Sequence, residues 1–304
     1  MVSPTPIRYL TLFYHQWQGQ RWLEIAIVEE QSMHMRKKFG YWIAAFFVVT
    51  LLIAPAQALE SPCIEPPYGW QYQDDSRSIV INQVSGNGIT YFVADVQLSQ
   101  VSGFQTALDN SGKTVSSLAT AAGAVLAING DDCGTHDHGI IIRNGKLLRA
   151  KTTTRNLLTV DANGDMSVKT DRNGEDPAAL GKQLIDAGVW QSFEFGPELI
   201  RNAEATEFNP AFDLISTRST RLEPRTAIGQ IGPLHYVILV VDGRQEGYSE
   251  GITLPDLQQL FLQYGAETAM NLDGGGSTEM WFQGQILNKP SGGVERTVTD
   301  ILCF

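Results

Sequence analysis

The chain has 304 residues, 43% of them apolar, and a formal net charge of −11. That apolar fraction supplies enough material for a buried core and excludes a largely disordered chain. The acidic balance argues against nucleic acid as a partner, because contacts to its phosphates require clustered lysine and arginine.

The first 58 residues have the composition of a secretory signal. Three basic residues at 36–38 precede an apolar run at 41–53, and Ala56-Gln57-Ala58 follows as a cleavage site. The alternative is a membrane anchor, but the run is shorter than the ~20 residues that a spanning helix needs. We therefore expect a periplasmic or secreted protein, cleaved after Ala58, with no stable membrane span afterwards.

Residues 1–32 lie upstream of any sensible signal, so we expect translation to begin at Met33 or Met35. The remaining residues, 59–304, fit one domain. Export permits disulfides, and an odd number of cysteines leaves at least one unpaired within the chain.

The cysteines are Cys63, Cys133 and Cys303. The first and last of these lie at the two ends of the predicted domain. Because domain termini are often close together, Cys63 and Cys303 are the first candidates for a disulfide.

Strand patterns dominate residues 59–304, with three helices between them. Runs of strands with so few helices predict an α+β fold rather than alternating βαβ units. We expect a single domain with a mixed, largely antiparallel sheet core and a few packed helices. The predicted elements, in chain order, are a strand at 89–96, a helix at 113–122, a buried strand at 124–128, hairpins at Asn144-Gly145 and Asn163-Gly164, a helix at 177–187, strands at 226–231 and 235–241, a helix at 253–264, a strand at 269–272, a hairpin of 280–282 with 285–287, and a strand at 297–304.

Four apolar strands end in polar, acidic or glycine residues. They occur in the segments AVLAINGDDCGTHDHG (124–139), EPRTAIG (223–229), VILVVDGRQEGYSEG (237–251) and AMNLDGGGSTEM (269–280). Strand ends are where a rigid scaffold presents functional loops, so we expect these ends to converge on one cleft. The residues expected to line it are Asn129, Asp131, Arg225, Asp242, Arg244, Asn271 and Asp273.

Three consecutive glycines, at 274–276, follow Asp273 and precede Ser277. Such a loop can bind phosphate through backbone N–H groups. No GK[ST] sequence and no helix pattern follow, so it is neither a P-loop nor a dinucleotide-binding turn, and it also lacks the nucleophile-elbow pattern. A bulge that only reverses the chain is the alternative, but a carboxylate at the end of a buried strand is costly unless it is hydrogen-bonded or used.

We expect Gly274, Gly275, Gly276 and Ser277 to bind substrate. At least one of the three glycines should have a positive φ, which only glycine adopts cheaply.

Two histidines in the segment THDHG, His136 and His138, would face the same side of an extended chain. With Asp131, Asp132 or Asp137 they could bind a divalent metal. An isolated H-x-H pattern is weak evidence, so no metal or other cofactor is expected. The alternatives are solvated histidines in a polar loop and a substrate ligand among them.

Arginine adds anion-binding capacity, because its planar fork suits phosphate. Arg225 begins a predicted strand and Arg244 follows another. Either could instead form a surface ion pair, and Arg218 and Arg221 in the preceding loop are expected to be solvated.

These segments together resemble the phosphodiester glycosidase family over nearly all of residues 59–304. One departure is that Asp132 and Cys133 stand where similar bacterial members carry an aromatic pair, which alters one wall of the cleft. The matching segments, in the family's order, are AINGD (127–131), GIIIRNGKLLR (139–149), FGPELI (195–200), PRTAIG (224–229), VVDGR (240–244), SEGITLPDL (249–257), NLDGGGSTEM (271–280), NKPS (288–291) and ERTVTDIL (295–302).

The resemblance implies cleavage of the glycosidic bond of a sugar-1-phosphodiester, in cell-surface or exopolysaccharide metabolism. Ordinary glycosidases protonate an alkoxide leaving group. A phosphate monoester, with a second pKa of about 6, can leave without a proton if its charge is stabilised. Arg225, Arg244 and the amides at 274–276 would stabilise that charge. Asp273 is the first choice for nucleophile or base, and Asp131 is the second.

The resemblance also implies that Asn129 and Asn271 bind sugar hydroxyls, while Asp242 orients an arginine or contacts the sugar. Two other classes of function stay open. One is a metal-dependent phosphodiesterase built on His136, His138 and the acids, which would break the P–O bond. The other is a non-catalytic glycan-binding protein at the cell surface.

Overall fold

The computed structural model describes the chain in four stretches, and statements about structure refer to them. The chain divides into two units, Met1–Gln57 and Ala58–Phe304. Among the described residues, no helix is long and apolar enough to cross a membrane. The described stretches are 9–17, 20–28, 69–210 and 214–304.

In the first unit, two strands form an antiparallel hairpin, β1 (Tyr9–Trp17) and β2 (Gln20–Val28). The predicted signal at 36–58 and the residue Cys63 lie outside the described residues. Cys133 and Cys303 are buried free thiols in the structure. The signal and the pairing of Cys63 therefore stay predictions.

The second unit alternates short strands with three helices along its described residues. Its helices are α1 (Val115–Ala122), α2 (Pro177–Asp186) and α3 (Leu254–Gln263). Its strands are β3 (Gly69–Gln73), β4 (Arg77–Gly86), β5 (Ile89–Leu98), β6 (Gln105–Lys113), β7 (Leu126–Asn129), β8 (Ile140–Arg143), β9 (Lys146–Ala150), β10 (Asn156–Val160), β11 (Met166–Lys169), β12 (Gln191–Phe195), β13 (Glu198–Arg201), β14 (Glu204–Ala205), β15 (Arg225–Gly232), β16 (His235–Val241), β17 (Thr268–Asn271), β18 (Met280–Phe282), β19 (Gln285–Ile286) and β20 (Val298–Cys303).

Two large sheets organise this unit. The larger has the strand order β14-β13-β17-β15-β16-β5-β4-β3, and the smaller has β19-β18-β7-β20-β6. The remaining strands form a three-stranded sheet, β11-β10-β12, and the hairpin β8-β9. Neighbouring strands are antiparallel in both large sheets, which confirms the predicted α+β class with its largely antiparallel core.

Successive residues of a strand point to opposite faces of its sheet, so each large sheet contributes side chains to an inner core and to an outer one. The main core lies between the two large sheets and includes Ile128, Ile238 and Met270. The outer face of the eight-stranded sheet packs against α3 through Phe261, and the outer face of the five-stranded sheet packs against α1 through Leu118. The order of layers is therefore helix, sheet, sheet, helix.

The helices begin and end where capping chemistry places them. Thr253 caps α3 by accepting a hydrogen bond from the Asp256 amide, as the sequence predicts. Thr114 does the same for α1, and Gly123 ends that helix in the left-handed conformation, with a φ of 66°. The predicted start of α1 at residue 113 is wrong by two residues, because its N-cap is Thr114.

Candidate active site

The loop after β17 is held by its own polar groups. The Asp273 carboxylate accepts a hydrogen bond from the Gly274 amide at 2.9 Å, and the Ser277 hydroxyl also bonds to it. Residues 275–277 then form a short 3₁₀ turn. Gly275 has a φ of 61°, which confirms that one glycine adopts a conformation that other residues resist.

The glycines make room for neighbouring groups. A Cβ added at Gly274 would lie 2.9 Å from the Pro224 carbonyl oxygen. A Cβ at Gly275 would lie 3.1 Å from the Arg244 guanidinium, and one at Gly276 would lie 3.0 Å from the Arg296 guanidinium. Two guanidinium groups therefore approach this loop where other residue types would hold them away.

The predicted anion-binding amides need a correction. The Gly274 amide donates to Asp273, and the Gly275 amide donates to the Pro224 carbonyl at 2.9 Å. Both donors are used inside the chain, because the tight turn folds them back onto it. Guanidinium groups beside the loop are the better placed donors for an anion.

A cleft of about 160 Å³ lies against this loop. It joins the loop after β7, the loop after β17 and the segment that leads into β20. Three of the predicted site residues, Asp131, Asp273 and Ser277, meet in it. The residues that line it are Asp131, Asp132, Thr135, Asp273, Ser277, Arg296, Thr297, Val298 and Thr299.

The acidity of Asp273 is tuned by opposing effects. Burial raises the pKa of its carboxyl to about 6, and the nearby Asp132 charge adds to this rise. The Ser277 hydroxyl, the Gly274 amide and the Arg296 charge act in the other direction. At neutral pH most of the population therefore carries an ionised carboxylate, with a pKa suited to a general base.

Asp131 lies in the same cleft but is committed to backbone groups. Its two carboxylate oxygens accept hydrogen bonds from the Cys133 and Glu194 amides, both at 2.9 Å. The Arg143 guanidinium lies 3.4 Å from it. This arrangement favours Asp273 over Asp131 as the reacting carboxylate.

Asp131, Cys133 and Asp300 have the mutual spacing of metal ligands, within 4.8 Å. The position that a cation would take is already occupied, because the Arg143 guanidinium bonds to Asp300 at 2.6 Å and to the Cys133 sulfur at 3.6 Å. Burial also raises the pKa of the Cys133 thiol, so the protonated form is favoured. These residues do not fit a metal ion.

The two histidines lie side by side, with ring centroids 5.1 Å apart. His136 bonds to Asp132 at 3.1 Å, and burial lowers the pKa of His138. His138 lines a second and larger cleft. Among the described residues, neither histidine joins a group of acids at metal-ligand spacing.

Asn129, at the end of β7, is a buried connector. Its side-chain amide donates to the Asp273 carbonyl oxygen at 2.6 Å. Its side-chain oxygen accepts from the Thr226 hydroxyl at 2.7 Å and from the Glu279 amide at 3.1 Å. It therefore joins the two large sheets beneath the loop, where the prediction had placed a sugar ligand.

Asp242 and Asn271 are also buried, with 1% of each exposed. Asp242 accepts hydrogen bonds from the Asn288 side chain and the Tyr248 hydroxyl, both at 2.9 Å. Asn271 donates to the Gly196 carbonyl at 2.8 Å. Neither residue lines the cleft against Asp273. The side-chain oxygen of Asn271 is buried and has no hydrogen-bond partner among the described residues.

The two arginines predicted to bind the phosphate, Arg225 and Arg244, have different environments. Arg225 is buried and donates to the carbonyl oxygens of Arg218 and Arg221, each at 3.3 Å. Burial lowers the pKa of Arg225 to about 10. Arg244 has half of its side chain exposed, bonds to Glu223 at 2.6 Å and faces Gly275. The prediction of a single cleft for all seven residues is therefore wrong, because only Asp131 and Asp273 line it. Arg225 holds a loop and Arg244 lies beside the glycine turn. The other three, Asn129, Asp242 and Asn271, are buried in the protein.

Sequence reasoning missed Arg296 and Glu279. Arg296 is exposed and lines the cleft, but no strand end precedes it to mark it. Glu279 is fully buried and accepts a hydrogen bond from the Arg296 amide at 3.1 Å. Burial raises the pKa of Glu279 to about 8, and the charge of Glu295 adds to this rise. Both residues lie in segments that carry the family resemblance, STEM (277–280) and ERTV (295–298), but no role was predicted for them individually.

The structure is an antiparallel α+β domain in which an aspartate and two arginines surround a glycine turn. These features are consistent with a hydrolase that acts on a sugar phosphate. The chain belongs to the phosphodiester glycosidase family, whose model matches residues 122–304. This confirms the resemblance found in the sequence. The family is one of hydrolases that act on glycosidic bonds.

One curated relative is the SPbeta prophage-derived uncharacterized protein YomE of Bacillus subtilis (strain 168). It is 33% identical over 198 residues, which cover 62% of this chain and 29% of that protein. The chain thus spans less than a third of the length of this relative.

Solved structures share the fold. The zebrafish N-acetylglucosamine-1-phosphodiester alpha-N-acetylglucosaminidase catalytic domain, auto-inhibited by its pro-peptide, has a TM-score of 0.58 at 18% identity, covering 78% of this chain and 88% of that one. A hypothetical protein from Synechocystis has a TM-score of 0.58 at 14% identity, covering 79% and 64%. A candidate exported protein from Burkholderia pseudomallei K96243 has 0.50 at 15%, covering 71% and 73%.

Proposed function

We propose that this protein hydrolyses the glycosidic bond of a sugar-1-phosphodiester outside the cytoplasm, in cell-surface or exopolysaccharide metabolism. The observation that carries the proposal is Asp273, a carboxylate with a pKa raised to about 6, in a cleft that Arg296 also lines. The Arg244 guanidinium lies beside Gly275 of the same loop. An acid next to cations is the pairing that bond cleavage with an anionic leaving group needs.

The carboxylate of Asp273 either removes a proton from the water that attacks the anomeric carbon, or attacks that carbon itself. In the second case it forms a sugar ester, which water then hydrolyses to release the sugar and free the carboxylate. The bond from that carbon to the phosphate oxygen breaks, and its electron pair leaves with the phosphate. Arg296, and Arg244 beside the glycine turn, stabilise the growing negative charge. No carboxylic acid has to protonate the leaving oxygen, because a phosphate monoester is a stable anion at neutral pH.

The decisive experiment compares Asp273→Asn with Asp131→Asn on a panel of sugar-1-phosphodiesters. We expect Asp273→Asn to fold normally, to keep substrate binding and to lose about 10³-fold or more of kcat, because the essential carboxylate is gone. Asp131→Asn should instead lower the melting temperature, since it breaks two backbone contacts and a buried ion pair.

Product analysis separates the alternatives. Free sugar supports glycosidic cleavage, whereas sugar phosphate, made only before chelator treatment, would support a metal-dependent phosphodiesterase. Binding without turnover in the wild type would support a glycan-binding protein.

The pH profile gives an independent measure. Asp273 reacts only when it has lost its proton, and its pKa is about 6. We therefore expect kcat/KM to fall as the pH drops below about 6, tenfold per unit at the acid end. A profile that stays flat down to pH 4 would exclude Asp273 as the base.

A further inference from the structure

A second cleft, of about 600 Å³, adjoins the cleft of Asp273. The two are connected by an ion pair, because Asp132 lines the first cleft and Arg155 lines the second. The Asp132–Arg155 contact is bidentate, with one of its hydrogen bonds at 3.0 Å. A ligand that crosses this pair would occupy both clefts.

The two clefts differ in volume, so they can hold different parts of a substrate. The first, at about 160 Å³, is smaller than the roughly 300–1,000 Å³ typical of sites that enclose a whole small ligand. It cannot enclose a sugar, a phosphate and the group beyond the phosphate together. The second cleft lies within that typical range, so the space for the group beyond the phosphate is there.

The lining of the second cleft suits an anion. Arg155 is committed to Asp132, while the side chain of Arg218 is exposed at the same cleft. Three consecutive hydroxyl side chains follow β9 and add hydrogen-bonding capacity. The full lining is His138, Thr152, Thr153, Thr154, Arg155, Ile215, Thr217 and Arg218.

His138 contributes a second, independent feature. Its Nδ1 atom is buried and has no hydrogen-bond partner among the described residues. Burial and the neighbouring Arg155 charge lower the pKa of its imidazole, so it is neutral at physiological pH and one ring nitrogen can donate while the other accepts. Within the lining of this cleft, His138 is therefore a residue whose polar group the described part of the chain leaves unsatisfied, at a cost in free energy.

We propose that the second cleft is the subsite for the aglycone, and that it selects an aglycone carrying a phosphate of its own through Arg218. The assignment of this subsite to an aglycone rests on the proposed function. The proposal that the cleft binds an anion does not. It assigns a specificity to a residue that sequence analysis had treated as solvated.

The test uses two substrates with the same sugar. One is the sugar-1-phosphate methyl ester, whose aglycone is uncharged, and the other is the uridine diphosphate ester, whose leaving group has a second phosphate. Turnover of both is measured for the wild type, for Arg218→Gln and for the matched control Arg221→Gln. Arg221 is also exposed and lies on the same loop, but it is outside the lining of the cleft.

We expect Arg218→Gln to lower the ratio of kcat/KM, diphosphate over methyl ester, roughly tenfold, because a charge-assisted hydrogen bond to the second phosphate is lost. Arg221→Gln should leave the ratio unchanged. An unchanged ratio in Arg218→Gln, or an equal fall in both variants, would overturn the proposal.

A binding measurement keeps this result separate from the proposed function. Titration calorimetry with free uridine diphosphate should show binding to the wild type and roughly tenfold weaker binding to Arg218→Gln. If no sugar phosphodiester is hydrolysed while this difference is found, the proposed function fails and the anion subsite stands. If uridine diphosphate does not bind, or binds all three proteins equally, the subsite proposal is wrong.

Discussion

The floor and the rim of the first cleft contain similar polar side chains and use them in opposite ways. The floor, which consists of Asn129, Arg225, Asp242 and Asn271, is buried and hydrogen-bonded to the protein, although the Asn271 side-chain oxygen has no partner among the described residues. The rim is defined by Arg244 and Arg296, whose exposed guanidinium groups lie against the glycine turn. The two groups differ in their position along the chain, since floor residues lie at the ends of strands and rim residues lie in loops.

Strand ends near a core are buried, and a buried polar group must be satisfied by the protein itself. Loops are exposed, so their charged groups stay available for a ligand. A polar residue at a strand end therefore indicates a side chain that holds the structure of the site. The reacting groups are expected one to a few residues beyond it. Asp273, two residues after the end of β17, fits that rule.

The largest expected effect separates an arginine of the rim from one of the floor. Arg296→Gln should lose about 10²–10³-fold in kcat, the typical loss when one donor to a developing anion is removed, with little change in melting temperature. Arg225→Gln should instead lower stability, because it removes the contacts that hold the loop of Arg218 and Arg221 and takes away the side-chain donor of the Arg221 carbonyl oxygen. Kinetics and thermal melts on both variants test the distinction. The opposite pattern would show that Arg225 binds the substrate.

A second prediction addresses the floor alone. Asn129→Ala removes three hydrogen bonds, one of them to the Asp273 carbonyl oxygen, and leaves the Glu279 amide without its acceptor. We expect the free energy of unfolding to fall by about 3 kcal/mol, from roughly 1–3 kcal/mol for each buried group left unpaired. Urea denaturation measures it. Thr135→Ala, at an exposed residue that lines the cleft, is the control and should unfold at nearly the wild-type urea concentration.

The fold was predictable because its signals are local. The predicted helix at 253–264 and the predicted strands at 226–231 and 235–241 each follow from a few neighbouring residues and correspond to α3, β15 and β16. The family was also predictable, because NLDGGGS and PRTAIG are specific segments. The site was predictable only in part, since Asp273 and Ser277 were expected in the cleft and line it.

The roles of the remaining site residues depend on contacts between distant parts of the chain. Asn129 bonds to a residue 144 positions away and Arg143 to one 157 positions away. No local pattern shows whether the oxygens of Asp131 will be taken by the amides of Cys133 and Glu194. The sequence therefore identifies which polar residues matter without showing which of them are free.

A smaller effect is expected at the glycine turn that joins floor and rim. Gly275→Ala should cost about 1–2 kcal/mol of stability, because a φ of 61° costs alanine more than it costs glycine. The loss of kcat should stay below about tenfold, since the added Cβ would meet the flexible end of Arg244 and the amide is already bonded to Pro224. Gly284→Ala, at another positive φ but with open space around it, controls for strain alone. A far greater loss of rate would show that the turn itself binds the anion.

A change in the pH dependence of stability is expected at Glu279, a fully buried carboxyl that accepts a hydrogen bond from the Arg296 amide. Burial raises its pKa to about 8 from an ordinary value of 4.5. Between these values the folded protein keeps a proton that the unfolded chain releases, so rising pH favours unfolding. The stabilising proton is fully present below about pH 4.5, and its contribution is lost as the pH rises through about 8.

Glutamine at this position keeps an oxygen for the Arg296 amide and does not titrate. The melting temperature of Glu279→Gln, relative to the wild type, should therefore increase from pH 5 to about pH 8 and then level off, by roughly 2–4 °C for each kcal/mol of difference. The exposed Glu267→Gln is the matched control and should follow the wild type at every pH. A constant difference between Glu279→Gln and the wild type would mean that this carboxyl is ionised in the folded state, and that Arg296 then lies above a buried negative charge.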